Sequence, residues 1–264
     1  MNIFTDTAGQ FFVSRTRWIL FGTGLFLFAW WVLSIMFHEI IIASPLSAFI
    51  SLGQMTMTVD FWMNVGVTMK RFGLGLFFGS LAGFLLGLAA GLKTSVKWLL
   101  EPFRWSLMTM PPVVLVVVSM IWFGMGSVQT IFVTALLILP IIYVNTIAGI
   151  EAVDLKILEM GQVYGADTRL LLKEIYLPGI GGPVLAGLTL SAGLGIRIVV
   201  LAELLGAYSG IGYAFSLART NLDTPALFAW IVVCLFLGGS LDLFVLNPVK
   251  KHIMKWKQTD DSAG

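Results

Sequence analysis

Residues 158–178, "LEMGQVYGADTRLLLKEIYLP", decide how the rest of the chain is read. Glu159, Asp167, Arg169, Lys173 and Glu174 stand here between two apolar stretches, each long enough to cross a membrane. Helix-forming residues surround the charges, two glycines interrupt them, and a proline closes the segment. A charged segment with helical patterning has to be held in water between two spans.

The flanking sequence has the composition of a membrane protein. The chain has 264 residues, 58% hydrophobic and 11% charged, with a mean hydropathy of +0.94. Soluble domains carry about 25% charged residues. A net charge of +2 offers no basis for binding nucleic acid. The single cysteine, Cys234, lies in an apolar run and excludes a disulfide framework or a cysteine metal cluster.

A spanning helix needs about 20 mostly apolar residues. Six stretches qualify: 18–37, 72–92, 105–123, 128–149, 180–205 and 226–246. The first is longer than a signal-peptide core and lacks a small-residue cleavage site, so it is read as a retained span. Pro111-Pro112 and Pro140 mark kinks in the third and fourth. Residues 45–69 are apolar but interrupted, and are read as an interfacial or amphipathic piece. The expected fold is an all-α membrane domain occupying the whole chain, with a loop over 151–178.

Lysine and arginine set the orientation. Arg15, Arg17, Lys93, Lys97, Arg104, Lys156, Arg169, Lys173, Lys250, Lys251, Lys255 and Lys257 share one side. Lys70, Arg71 and Arg219 fall on the other, and Arg197 lies within a span. Both termini and the 151–178 loop are therefore expected in the cytoplasm.

Gly75, Gly79, Gly83, Gly87 and Gly91 recur every fourth residue. On a helix this makes a ridge without side chains, along which a second backbone packs closely within the subunit or across a dimer. Gly187, Ser191 and Gly195 repeat the pattern more weakly in the fifth span. That span also holds Arg197 and Glu203, and the sixth holds Asp242. Charges at this depth face protein or water. Arg197 and Glu203 are candidates for a solute pathway, Arg197 for an anion. The competing reading is a structural ion pair, with Asp242 as one partner for Arg197, or an arginine that bonds backbone carbonyls.

Catalytic and nucleotide-binding motifs are missing. "GLKT" at 91–94 fails the phosphate-loop pattern because Leu92 separates Gly91 from Lys93. Neither H-E-x-x-H nor G-x-S-x-G occurs, and His38 and His252 lie outside the spans. A membrane enzyme would have no nucleophile–base set. A channel or secondary carrier of the repeat-built kind would show two related halves, and none is visible. No cofactor or metal site is expected on this chain.

Within the loop, Asp154 is placed to cap one short helix, with Val153, Ile157, Met160 and Tyr164 as its apolar stripe. Gly165 provides a turn, Asp167 or Thr168 caps a second helix, and Pro178 is expected to end it.

This segment resembles the "EAA" loop of permease subunits of bacterial ATP-binding cassette importers. That pattern reads E-A-A, three residues, G, nine residues, I-x-L-P. Glu159 and Gly165 occupy the glutamate and glycine positions, Ile175, Leu177 and Pro178 follow at the right spacing, and Met160 and Gly161 replace the alanines. "MPPVVLVVVSMIWFGMG", "LPIIYVNTIAGIEAVD", "VLAELLGAYSGIGYAF" and "LDTPALFAWIVVCLFLGGSLD" resemble the nitrate, sulfonate and taurine branch. The resemblance implies the type I importer fold and a non-catalytic subunit in the bacterial inner membrane. Glu159, Met160, Gly161, Gly165, Ala166, Ile175, Leu177 and Pro178 would then meet a cytoplasmic ATPase. ATP and Mg would be bound by the ATPase dimer, a second permease copy would complete the pathway, and a periplasmic or lipid-anchored binding protein would deliver a small anion.

Overall fold

The computed structural model describes residues 6–241, and every regular element within them is helical. Asp242, His252 and the basic tail, together with the end of the 226–246 span, lie outside the described residues. Helix α1 (Asp6–Met36) contains the first apolar stretch. Its described surface is almost wholly exposed, as expected of a helix whose neighbours are lipid. Trp30 holds its far end, stacking on Phe228 at 5.6 Å and donating from Nε1 to the Ala43 carbonyl at 2.9 Å.

Residues 45–69 divide between two elements. Helix α2 (Pro45–Thr56) starts at Ser44, whose hydroxyl accepts from the Ser47 amide. Thr58 then caps α3 (Val59–Leu92), which runs unbroken through the second apolar stretch. The second span thus begins well before residue 72, and only the first half of 45–69 is a separate piece. Arg71, counted above on the outer side just before the second stretch, is buried within this helix at 3% exposure.

The third stretch is not one straight helix. Helices α4 (Thr94–Thr109) and α5 (Pro112–Phe123) meet at an angle of 105°. The Pro111-Pro112 pair removes two amide donors and forces the preceding residue into an extended conformation; Met110 has φ −70° and ψ 129°. Near the N-terminal end of α4, Lys97 Nζ meets the Glu151 carboxylate at 2.5 Å, which holds the ammonium above its ordinary pKa.

Helix α6 (Ser127–Glu151) is continuous through Pro140. Its Thr134 and Thr146 hydroxyls donate to the carbonyls one turn back, at 2.7 and 2.8 Å, so neither needs water. The α3–α6 pair is the most extensive contact in the fold, and the glycine ridge makes it. A β-carbon on Gly79 would lie 2.5 Å from the Ala135 carbonyl oxygen, and one on Gly83 2.5 Å from that of Leu139. Gly75 and Gly87 face Thr134 and Thr146, and Gly91 faces Ile150. The ridge thus packs within the subunit.

After α7 (Leu155–Val163) and α8 (Thr168–Leu171), one π turn over Leu172–Tyr176 leads into α9 (Leu177–Gly206). Pro178 therefore does not end a helix. The Leu177 amide bonds the Leu172 carbonyl, five residues back. Pro178 follows this π turn directly, and the helix continues through it into α9. Helix α10 (Ile211–Thr220) follows a break, and α11 (Thr224–Leu241) closes the described chain. Phe61 stacks on Trp230 at 5.2 Å in a core that joins α3, α10 and α11. Among the described residues, four helices are long and apolar enough to span, or five with the bent pair; α11 is a shorter apolar helix.

Candidate solute groove and coupling loop

Two regions bear on function. The first is the 151–178 loop. Asp154 accepts from the Lys156 amide through Oδ1 at 2.9 Å, and Asp167 from the Leu170 amide at 2.8 Å, so both aspartates cap short helices. Gly165 joins them with φ +77°, a conformation that side chains disfavour. The Ala166 amide bonds the Gly161 carbonyl at 2.9 Å. Gly161 packs against the second arm, since a β-carbon there would lie 2.8 Å from Leu171 and 3.5 Å from Ile175. Gly161, Ala166 and Ile175 therefore meet at one internal contact.

Much of the loop's apolar stripe faces outward. Ile157, Met160 and Tyr164 are exposed, Tyr164 at 84%, and Val153 is half-buried. Glu159 and Leu177 are also exposed. An apolar stripe in a charged setting, open to the surroundings, is a surface prepared for a partner.

The second region is a groove of about 1100 Å³ between α9, α10 and α11. Leu194, Leu201, Phe215, Ile231 and Leu235 are among its walls, and among the described residues Arg197 is the only charged one that lines it. Arg197 is exposed and, among the described residues, has no carboxylate partner. A guanidinium cannot be left facing lipid at this depth without a cost of about 2.5–3.5 kcal/mol.

Glu203 does not line this groove. It is fully buried and pairs with Arg71, Nη1 to Oε1 at 2.8 Å. Its other oxygen accepts from Thr68 Oγ1 at 2.8 Å and from the Gly212 amide at 3.1 Å. Arg71 also donates to Ser127 Oγ and to the Ser209 carbonyl and hydroxyl, at 2.6–3.0 Å. Arg197 and Glu203 thus belong to different sites, as six helical positions separate them.

Sequence reading missed Arg71 because it adjoins Lys70 at the edge of the hydropathy window. One signal was available. Arg71 lies four residues before Gly75, so the glycine period extended by one step reaches it and places it on the buried face.

Comparison with known proteins agrees with this architecture. Residues 75–247 match the family described as "Binding-protein-dependent transport system inner membrane component". The chain is 27% identical over 219 residues to the putative aliphatic sulfonates transport permease of Bacillus subtilis, covering 83% of this chain and 79% of that one. It is 28% identical to the taurine transport system permease of Escherichia coli, covering 76% and 72%. A crystal structure of an amino acid ABC transporter superposes with a TM-score of 0.58 over 73% of this chain and 96% of that one, at 17% identity, a likeness of fold. The chain belongs to the binding-protein-dependent family of inner-membrane transport components and is a multi-pass permease subunit of an ATP-driven importer.

Proposed function

We propose that two copies of this chain form the solute pathway of an importer for a small sulfonate-like anion, with ATP and Mg bound on a separate ATPase dimer. Both termini and the 151–178 loop lie on the cytoplasmic side. The loop seats in the ATPase, with Ile157, Met160, Tyr164 and Glu159 as contacts and Gly161, Gly165, Ala166 and Ile175 holding its shape. Leu177 and Pro178 carry it into α9 without a flexible joint. ATP binding closes the ATPase dimer, draws the two loops together and rocks the helices as rigid bodies. A binding protein delivers the solute to the opposite face.

The observation that carries this reading is the exposed stripe on a loop whose two arms are each capped and packed on one another. A surface so constrained and yet uncovered needs a protein partner. Arg197 supports the anion assignment: among the described residues it is the one charge lining a largely apolar groove, and the relatives named above are permeases for sulfonates and taurine. In the assembly the groove faces the second copy across the pathway, so that Arg197 meets water and solute.

Copurification tests the coupling. A cytoplasmic ATPase should accompany the wild-type chain and be lost with Glu159→Arg or Gly165→Pro. Indifference to both changes would favour a channel or an ion-driven carrier.

A further inference from the structure

Two helix breaks and the middle of a third helix meet at one guanidinium. Gly126 and Gly206 stand at the breaks before α6 and after α9, and the Gly126 amide bonds the Gly206 carbonyl at 2.7 Å. Arg71 of α3 reaches both breaks, through Ser127 on one side and Ser209 on the other.

The start of α10 depends on the same cluster. The Gly210 amide donates to Asn64 Oδ1 at 2.7 Å, the Ile211 amide to Thr68 Oγ1 at 2.8 Å, and the Gly212 amide to Glu203. Three amides at this helix start, all lacking helical partners, are thus satisfied by side chains of α3 and α9. A carboxylate at a helix N-terminus also meets its positive end. Gly210 has φ +104°, and a β-carbon there would collide with the Glu203 carboxylate. Nothing in this contact is adjustable. Glu203 lies about 40 Å along α9 from Leu177, at 1.5 Å per residue.

We propose that Arg71 and Glu203 are positioning residues for transport, locking α10, the far end of α9 and the middle of α3 into one rigid body. A displacement entering α9 from the 155–178 loop then reaches α10, and with it Phe215 on the groove wall, without loss. This rests on the reading of that loop as the ATPase contact.

The test uses the full complex in lipid nanodiscs, with Cys234→Ala and spin labels on Met63 of α3 and Leu217 of α10, both exposed, in one copy only and the other copy unlabelled. A second label pair, on Met160 of the two copies, reports the switch. Between the nucleotide-free and ATP–vanadate-trapped states, the Met160 distance should shorten and the Met63–Leu217 distance should stay as one unchanged narrow peak. A shift of that peak on trapping overturns the proposal. The double variant R71M/E203Q removes both charges, so no orphan ion hinders folding, and it should lose the narrow peak even without nucleotide. Retention of the narrow peak in the double variant overturns the proposal equally. If no ATPase binds, the coupling reading fails alone, because the nucleotide-free comparison still reports on the rigid body.

Discussion

Arg71 Nη1 and Glu203 Oε1 lie 2.8 Å apart, though 132 residues separate them in the chain. Both side chains are within 4% of complete burial. Removing one partner strands the other in a water-free site, a loss of about 3–5 kcal/mol for a buried pair. Arg71→Met or Glu203→Leu alone should therefore unfold at clearly lower temperature in detergent. R71M/E203L should recover part of that loss, since no charge then remains. Wild-type melting of either single variant would show that water reaches the pair.

The glycine ridge makes a position-specific forecast. A β-carbon at Gly79 or Gly83 meets main-chain oxygen, which cannot rotate away. Gly83→Val should destabilise the α3–α6 pair by about 1–3 kcal/mol, the range for an overpacked core. Gly73→Ala, on the same helix with nothing nearby, should leave the melting temperature unchanged. Equal effects at the two positions would contradict the packing described.

In the loop, shape and contact separate. Gly161→Val would push Leu171 away and spoil the internal contact, whereas Met160→Glu changes only an exposed side chain. Both should reduce ATPase copurification. Only the former should increase amide hydrogen exchange across residues 155–176. Full ATPase binding by Gly161→Val would mean that the arms need not be packed to dock.

Arg197 sets stability against function. Arg197→Leu removes a charge costing about 2.5–3.5 kcal/mol at mid-membrane, so the isolated subunit should gain thermal stability. Uptake of taurine or methanesulfonate by reconstituted complex should fall about 10- to 100-fold, the worth of one charge-assisted hydrogen bond. Arg197→Lys should keep more uptake than Arg197→Leu. A loss of stability in Arg197→Leu would point to a structural partner for the guanidinium instead.

The features visible in the sequence are those with local causes. Apolar length marks the spans, because an 18-residue apolar window has few homes other than lipid. The four-residue glycine period marks a helix face meant for close packing, although it does not name the opposing helix. Asp154, Gly165 and Asp167 announce the loop, since capping and left-handed turns are decided within three or four residues. The residues from Glu159 to Pro178 carry the resemblance to the family that the comparison over residues 75–247 shows.

Partnership across the chain was not visible. Nothing near Arg71 in sequence identifies Glu203 as its partner, and hydropathy alone placed Arg71 outside the bundle. Pro178 was misread for a similar reason: proline stops a regular α-helix, but one π turn before it supplies a five-residue bond and lets the helix proceed. The tertiary structure alone decided that Glu203 is locked away from the groove while Arg197 opens into it. Which face of α9 is buried depends on where α3 and α6 lie, and hydrophobic length and periodicity carry no information about that.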